Sequence, residues 1–153
     1  MPVRRLARLA LPGLAAALLA LPLAAEEGGG PGPAEAAAQG AETLALGAEL
    51  FARHCASCHG AAATGDGPLA PLLMVPVPDL TGLAARNDGV FPMLEVVHTI
   101  DGRVGRKAHG GPMPVWGTVF MEPPQFGLGL DGSVLEAQGR IMALTLWLES
   151  IQP

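Results

Sequence analysis

The sequence is poor in basic charge. Of its 153 residues, nine are lysine or arginine against 14 aspartate or glutamate, and Lys107 is the single lysine. A chain with this balance has no electrostatic footprint for a polyanion, so nucleic acid is excluded as a partner. Cysteine is scarcer still, with Cys55 and Cys58 alone. Without a second cysteine pair, a structural zinc site lacks ligands at a known spacing. No strand-like alternation precedes the pair, so the βαβ context of a thioredoxin-like redox centre is missing. No internal repeat is apparent, and nothing suggests a catalytic base, a nucleophile or a substrate pocket. No apolar run reaches the roughly 20 residues of a membrane-spanning helix.

What is present begins with a leader. Arg4, Arg5 and Arg8 precede an apolar run from Leu9 to Leu23, and Ala24 and Ala25 follow. That order of charge, apolar core and small residues predicts a secretory signal peptide over residues 1–25. A retained membrane anchor is the alternative. Pro12, Gly13 and Pro22 interrupt the run, whereas Leu23-Ala24-Ala25 is an imperfect cleavage site. The expected location is the periplasm, by the general secretory route. Cleavage would leave six basic and 14 acidic residues, a net charge of −8. Partners should then offer basic surfaces or dock through apolar contacts.

Residues 26–40 are Gly, Pro, Ala and Glu without an apolar period and read as a flexible linker. Residues 41–153 read as the folded domain. A helix is expected from Glu42 to Ala56, with Leu46, Leu50 and Phe51 on one face. Asp79 can cap a short helix over Leu80 to Arg86. Pro92 suits the first position of another helix running to Ile100, with Leu94, Val97 and His98 at helical spacing. A last helix, Ser133 to Ser150, carries Leu135, Ile141, Leu144, Trp147 and Leu148, with Gly139 as an internal weak point. Gly60–Pro78 and Gly102–Gly132 read as loops. The fold class is all-α. About 110 residues with so few regular elements would be marginal alone, and a buried cofactor would act as the missing core.

Cys55-Ala56-Ser57-Cys58-His59 has the C-x-x-C-H order of c-type haem attachment. Two thiols three residues apart on a helical turn can reach both vinyl groups of one porphyrin. The adjacent histidine then falls under the iron as proximal ligand. A simple disulfide would have no need of His59. The sixth ligand is sought separately. Met113 lies in Gly110-Gly111-Pro112-Met113-Pro114-Val115-Trp116-Gly117, where prolines stiffen the backbone around the thioether. Met74, in a proline-rich loop, is its main rival. Met93, Met121, Met142, His98 and His109 are further candidates, while His54 cannot easily reach the opposite haem face.

With Cys55-Ala56-Ser57-Cys58-His59-Gly60 followed by Met113-Pro114-Val115-Trp116-Gly117, the chain resembles the class I c-type cytochromes, small bacterial monohaem proteins. The likeness covers about Ala41 to Ile151. Met113 follows His59 by 54 residues, a separation the family tolerates. The resemblance implies a cytochrome c fold, with N- and C-terminal helices packed around one haem and long loops. It implies that Gly47, Leu50 and Phe51 meet Leu144, Trp147 and Leu148. It also implies that a proline carbonyl, Pro68 or Pro71, accepts a hydrogen bond from His59. Trp116 would pack near the haem edge, and Arg103 or Arg106 would either face a propionate or form part of a solvated basic face. The lysine-rich docking face of the family's best-known members has no counterpart beyond Lys107.

The expected function is electron transfer between redox protein partners by one covalent haem c, bound through Cys55 and Cys58 and ligated by His59 and Met113. The carrier would be soluble or tethered through an uncleaved N-terminus. The rivals are a haem subunit permanently docked in a larger oxidoreductase, and a sensor or peroxidase-like enzyme whose methionine leaves the iron. A di-haem peroxidase is disfavoured because a second C-x-x-C-H is absent.

Overall fold

Proline at the first helical turn, an early glutamate and a run of alanines are enough to start a helix where no apolar stripe exists. In the computed structural model, α1 accordingly runs Pro33–His54, with Glu35 in its first turn and Arg53 and His54 in its last, charges that suit the helix dipole. The structure describes residues 30–103, 111, 113–121 and 129–153. The expected leader (1–25), Arg106, Lys107 and His109 lie outside the described residues. Residues 33–40, expected as the end of the flexible linker, are therefore helical. They are exposed on every side, so they carry no apolar period to read.

The remaining helices are α2 (Ala56–His59), α3 (Met93–Asp101), α4 (Trp116–Val119) and α5 (Gly129–Ser150), with 3₁₀ turns at Ala70–Leu72 and Ala85–Asn87. No strand forms among the described residues. The last helix starts four residues earlier than expected. The expected helix over Leu80–Arg86 is instead a series of turns ending in the 3₁₀ turn. Its start is an Asx turn, in which Asp79 Oδ1 accepts from the Thr81 N–H (2.8 Å) and hydroxyl (2.7 Å).

Residues Pro31–Pro153 form one compact unit, organised by α1 crossing α5. A Cβ on Gly47 would run into the Ala143 carbonyl and lie 2.7 Å from Trp147 Cβ, so this crossing needs glycine. One turn on, Phe51 packs on Trp147 with ring centroids 4.5 Å apart. Leu50, Phe51, Ile141, Leu144 and Leu148 are buried together, joined by Val96 and Ile100 of α3 and by Phe120 after α4. Thr145, fully buried, satisfies its hydroxyl by donating to Ile141 O at 2.8 Å. The implied contact of Gly47 and Phe51 with Trp147 is observed. Three expected core positions are not core: Leu46, Leu94 and Leu135 are exposed. In α3 the buried face is Val96 and Ile100. Several apolar stripes fit that helix, and α5 selects one. Gln152 ties the C-terminus down by accepting from Ala84 N–H (3.0 Å) and donating to Leu80 O (2.9 Å).

Candidate cofactor site

Between these helices lies a cavity of about 560 Å³. Cys55, Cys58 and His59 line it from the α1–α2 junction, and Met113 and Trp116 line it from the chain around α4. Its walls are apolar, from Phe51, Leu80, Leu83, Val96, Leu144 and Leu148. A hollow of this size and lining falls in the range of small-molecule and cofactor sites.

The cysteines follow from an almost unbroken helix. Cys55 N–H still donates to Phe51 O (2.9 Å), and both Cys58 and His59 N–H donate to Cys55 O (3.1 and 2.9 Å). One helical turn therefore spaces the two sulfurs and sets the imidazole beside them. Both thiols are free and partly buried. Burial, reinforced by Cys58, pushes the Cys55 thiol up to about 12. The Cys55 thiol is therefore protonated at neutral pH.

The carbonyls at the end of α2 would be orphans without the next loop. Leu69 N–H donates to Ser57 O (2.9 Å), Gly67 N–H to Cys58 O (3.1 Å) and Gly65 N–H to His59 O (2.8 Å). Three successive carbonyls are thus capped by one returning strand of chain. Gly67 approaches so closely that a Cβ there would sit 2.5 Å from the Cys58 carbonyl. Leu80 N–H then donates to Ala63 O (2.8 Å), which brings the preceding residues back to the imidazole. The result is a hydrogen bond from His59 Nδ1 to Pro78 O at 3.4 Å. A carbonyl only accepts, so Nδ1 carries the proton and Nε2 keeps its lone pair for a metal. Burial holds the His59 pKa below its ordinary value, and the Pro78 carbonyl opposes that shift. The carbonyl expected from Pro68 or Pro71 is therefore supplied by Pro78. Pro68 and Pro71 lie where the loop caps α2, and the chain reaches the ring only after the proline-rich stretch ends.

Of the candidate sixth ligands within the described residues, Met113 alone lines the cavity with His59. Met74 is fully exposed, and Met142 is exposed on α5. Met121 accepts a hydrogen bond from Arg103 through its sulfur, at 3.3 Å. His98 is exposed and faces a different hollow, with Asp101 and Met142. His54 touches the cavity but belongs to an aromatic cluster, 5.3 Å from Trp116 and 5.4 Å from Phe120 between centroids. Desolvation, then Arg53 and Arg140, lowers its pKa.

Arg103, a candidate to face a carboxylate of the cofactor or to stand on a solvated face, is paired instead. Its guanidinium grips Asp101, with Nε to Oδ1 at 2.8 Å and Nη2 to Oδ2 at 2.7 Å. Arg86 was missed. Among the described residues it is the single arginine or lysine lining the cavity, folded back so that it donates to Asp79 O. A lone arginine in a turn carries no spacing signal that would have singled it out. Asn87, Glu95 and Thr99 complete the polar part of the lining.

Residues 44–128 match the family model described as cytochrome c. No curated protein and no solved structure matches the chain.

Proposed function

The chain belongs to the cytochrome c family, and from that premise we propose that it is an exported electron carrier holding one haem c, attached through Cys55 and Cys58 and ligated by His59 and Met113. Membership itself implies covalent haem c and electron transfer. The attachment, the axial pair and export are the finer reading. The observation that carries it is the shared lining of one apolar cavity by Cys55, Cys58, His59 and Met113.

The residues present fit such a group. Two thiols on one helical turn and a histidine with a defined tautomer suit covalent haem c, and a thioether could serve as the second iron ligand. The apolar walls match a flat apolar macrocycle. When bound, haem c supplies a one-electron ferric/ferrous couple. The protein's part is to hold and tune it. Pro78 orients the His59 ring and leaves Nε2 basic. Phe51, Leu144 and Leu148 exclude water. Arg86 offers a cation to the group's carboxylates. Were His59 and Met113 both to hold the group, they would leave no open position for a substrate, which supports a carrier over an enzyme.

Export is supported by the order of charge, apolar run and small residues over 1–25. The mass of the mature protein tests it: loss of roughly 25 residues means cleavage, and an intact N-terminus means a tether. The central test is the full chain matured with a haem c assembly system. Expected are sharp reduced visible bands, a weak ferric band at the red end from iron–sulfur ligation, and colour that survives acid-acetone extraction. A high-spin ferric spectrum with carbon monoxide binding on reduction would replace the carrier with a sensor or enzyme.

One observation favours a second reading, a haem subunit permanently docked in a larger oxidoreductase. Residues 67–78 carry no charge, and Leu72, Met74 and Val75 stand exposed there, with Val75 also lining the cavity. Native purification separates the two, since a carrier elutes alone and a subunit elutes with its complex.

A further inference from the structure

The chain bearing Met113 is pressed against the end of α3 at two places. At the first, α3 closes on Gly102, whose φ is +67°. A Cβ there would lie 3.3 Å from Val115 Cα. At the second, the Asp101–Arg103 pair lies flat on Gly117. A Cβ on Gly117 would sit 2.5 Å from Arg103 Nε and 2.6 Å from Asp101 Oδ1. Arg103 also reaches over α4 to donate to Met121 Sδ. The pair is unlike the surface ion pair Arg53–Glu49, whose side chains are 63% and 61% exposed. Those of Arg103 and Asp101 are 28% and 18% exposed. A planar two-point contact, half withdrawn from water, fixes geometry as well as attracting charge.

We infer that Asp101 and Arg103 are positioning residues for Met113: their ion pair staples Val115–Met121 to α3 and so holds the methionine thioether in the cavity. This rests on the reading of Met113 as axial ligand. Arg103 is therefore a structural clamp on the methionine side and not a partner of the cofactor's carboxylates. Residues 113–121 contain a single helical turn of their own, α4, too short to stand alone. Longer-range contacts have to fix the chain around it, and Arg103, held by Asp101, supplies one through its bond to Met121 Sδ and its packing on Gly117.

The test uses the matured holoprotein and reads the ferric red-end band and the affinity for added imidazole, which competes with methionine for the iron. Asp101→Asn and Arg103→Gln should weaken the band and tighten apparent imidazole binding by about tenfold or more, the scale of a lost charged hydrogen bond. Arg103→Lys, which keeps the charge but loses the fork, should fall between these and wild type. Glu49→Gln, at the exposed pair, should change neither readout. Should Asp101→Asn not mature, Gly117→Ala displaces the pair without removing a charge and carries the same expectation. Met113→Ala is run beside them. If it abolishes the band while the Asp101 and Arg103 variants bind imidazole as wild type does, the staple is refuted and the ligand stands. If Met113→Ala keeps the band and the wild-type imidazole affinity, the ligand reading falls, and the inference with it.

Discussion

The two sides of the cavity are built by different means. On the histidine side, Cys55–His59 and the loop to Pro78 are close in sequence and are joined by backbone hydrogen bonds that cap Ser57, Cys58 and His59 in succession. On the methionine side, the chain around Met113 is held by side chains and a close backbone approach. Gly102, Asp101 and Arg103 press on Val115 and Gly117, and Arg140 donates to Phe120 O at 3.3 Å. The first side is joined by backbone hydrogen bonds. The second is held by side chains, Asp101 and Arg103 at the end of α3 and Arg140 of α5. On the function proposed above, attachment and the methionine ligand would then be held by different kinds of contact.

The sharpest break of this comparison is Cys55→Ala with Cys58→Ala. Covalent colour should vanish altogether, read as no haem retained after acid-acetone extraction. Second in size is Met113→Ala, which should leave the haem attached but remove the red-end ferric band and lower the potential, since methionine ligation raises it. Together they separate attachment on one side from tuning on the other. Third, Gly67→Ala strikes the histidine side through its backbone. With a Cβ 2.5 Å from the Cys58 carbonyl, it should cost about 1–3 kcal/mol, the usual range for overpacking, in denaturant unfolding of the holoprotein.

Fourth, the methionine side should lose its ion pair at low pH. Hydrogen bonding from Arg103, above the opposing effect of burial, holds Asp101 below its ordinary value. Its stabilising share is therefore present above the unfolded carboxyl pKa, about 3.9, and is lost as pH falls through the lower folded value. Asp101→Asn should flatten the stability–pH curve below about pH 4, measured by thermal unfolding at stepped pH. Smallest is Gly139→Ala on the exposed face of α5, where a Cβ meets nothing within 4 Å. It should stabilise by about 0.5–1 kcal/mol and leave both sides of the cavity spectroscopically unchanged.

The sequence alone determined what local chemistry can specify. The i, i+3, i+4 spacing of Cys55, Cys58 and His59 fits one helical turn, and Pro114 beside Met113 marked a stiffened segment. Helix identity was legible from Leu50, Phe51, Ile141, Leu144 and Leu148. Only the tertiary structure decided the rest. It took Pro78 over Pro68 or Pro71, because the loop spends Gly65, Gly67 and Leu69 on capping α2 before it can return to the imidazole. It buried Val96 and Ile100 and left Leu94 exposed, because a helix with apolar residues on several sides takes its inward face from the neighbour it meets. It turned Arg103 to Asp101 and Arg86 to the cavity, because a guanidinium goes to whichever acceptor the packed chain brings within reach, and one-dimensional spacing does not contain that distance.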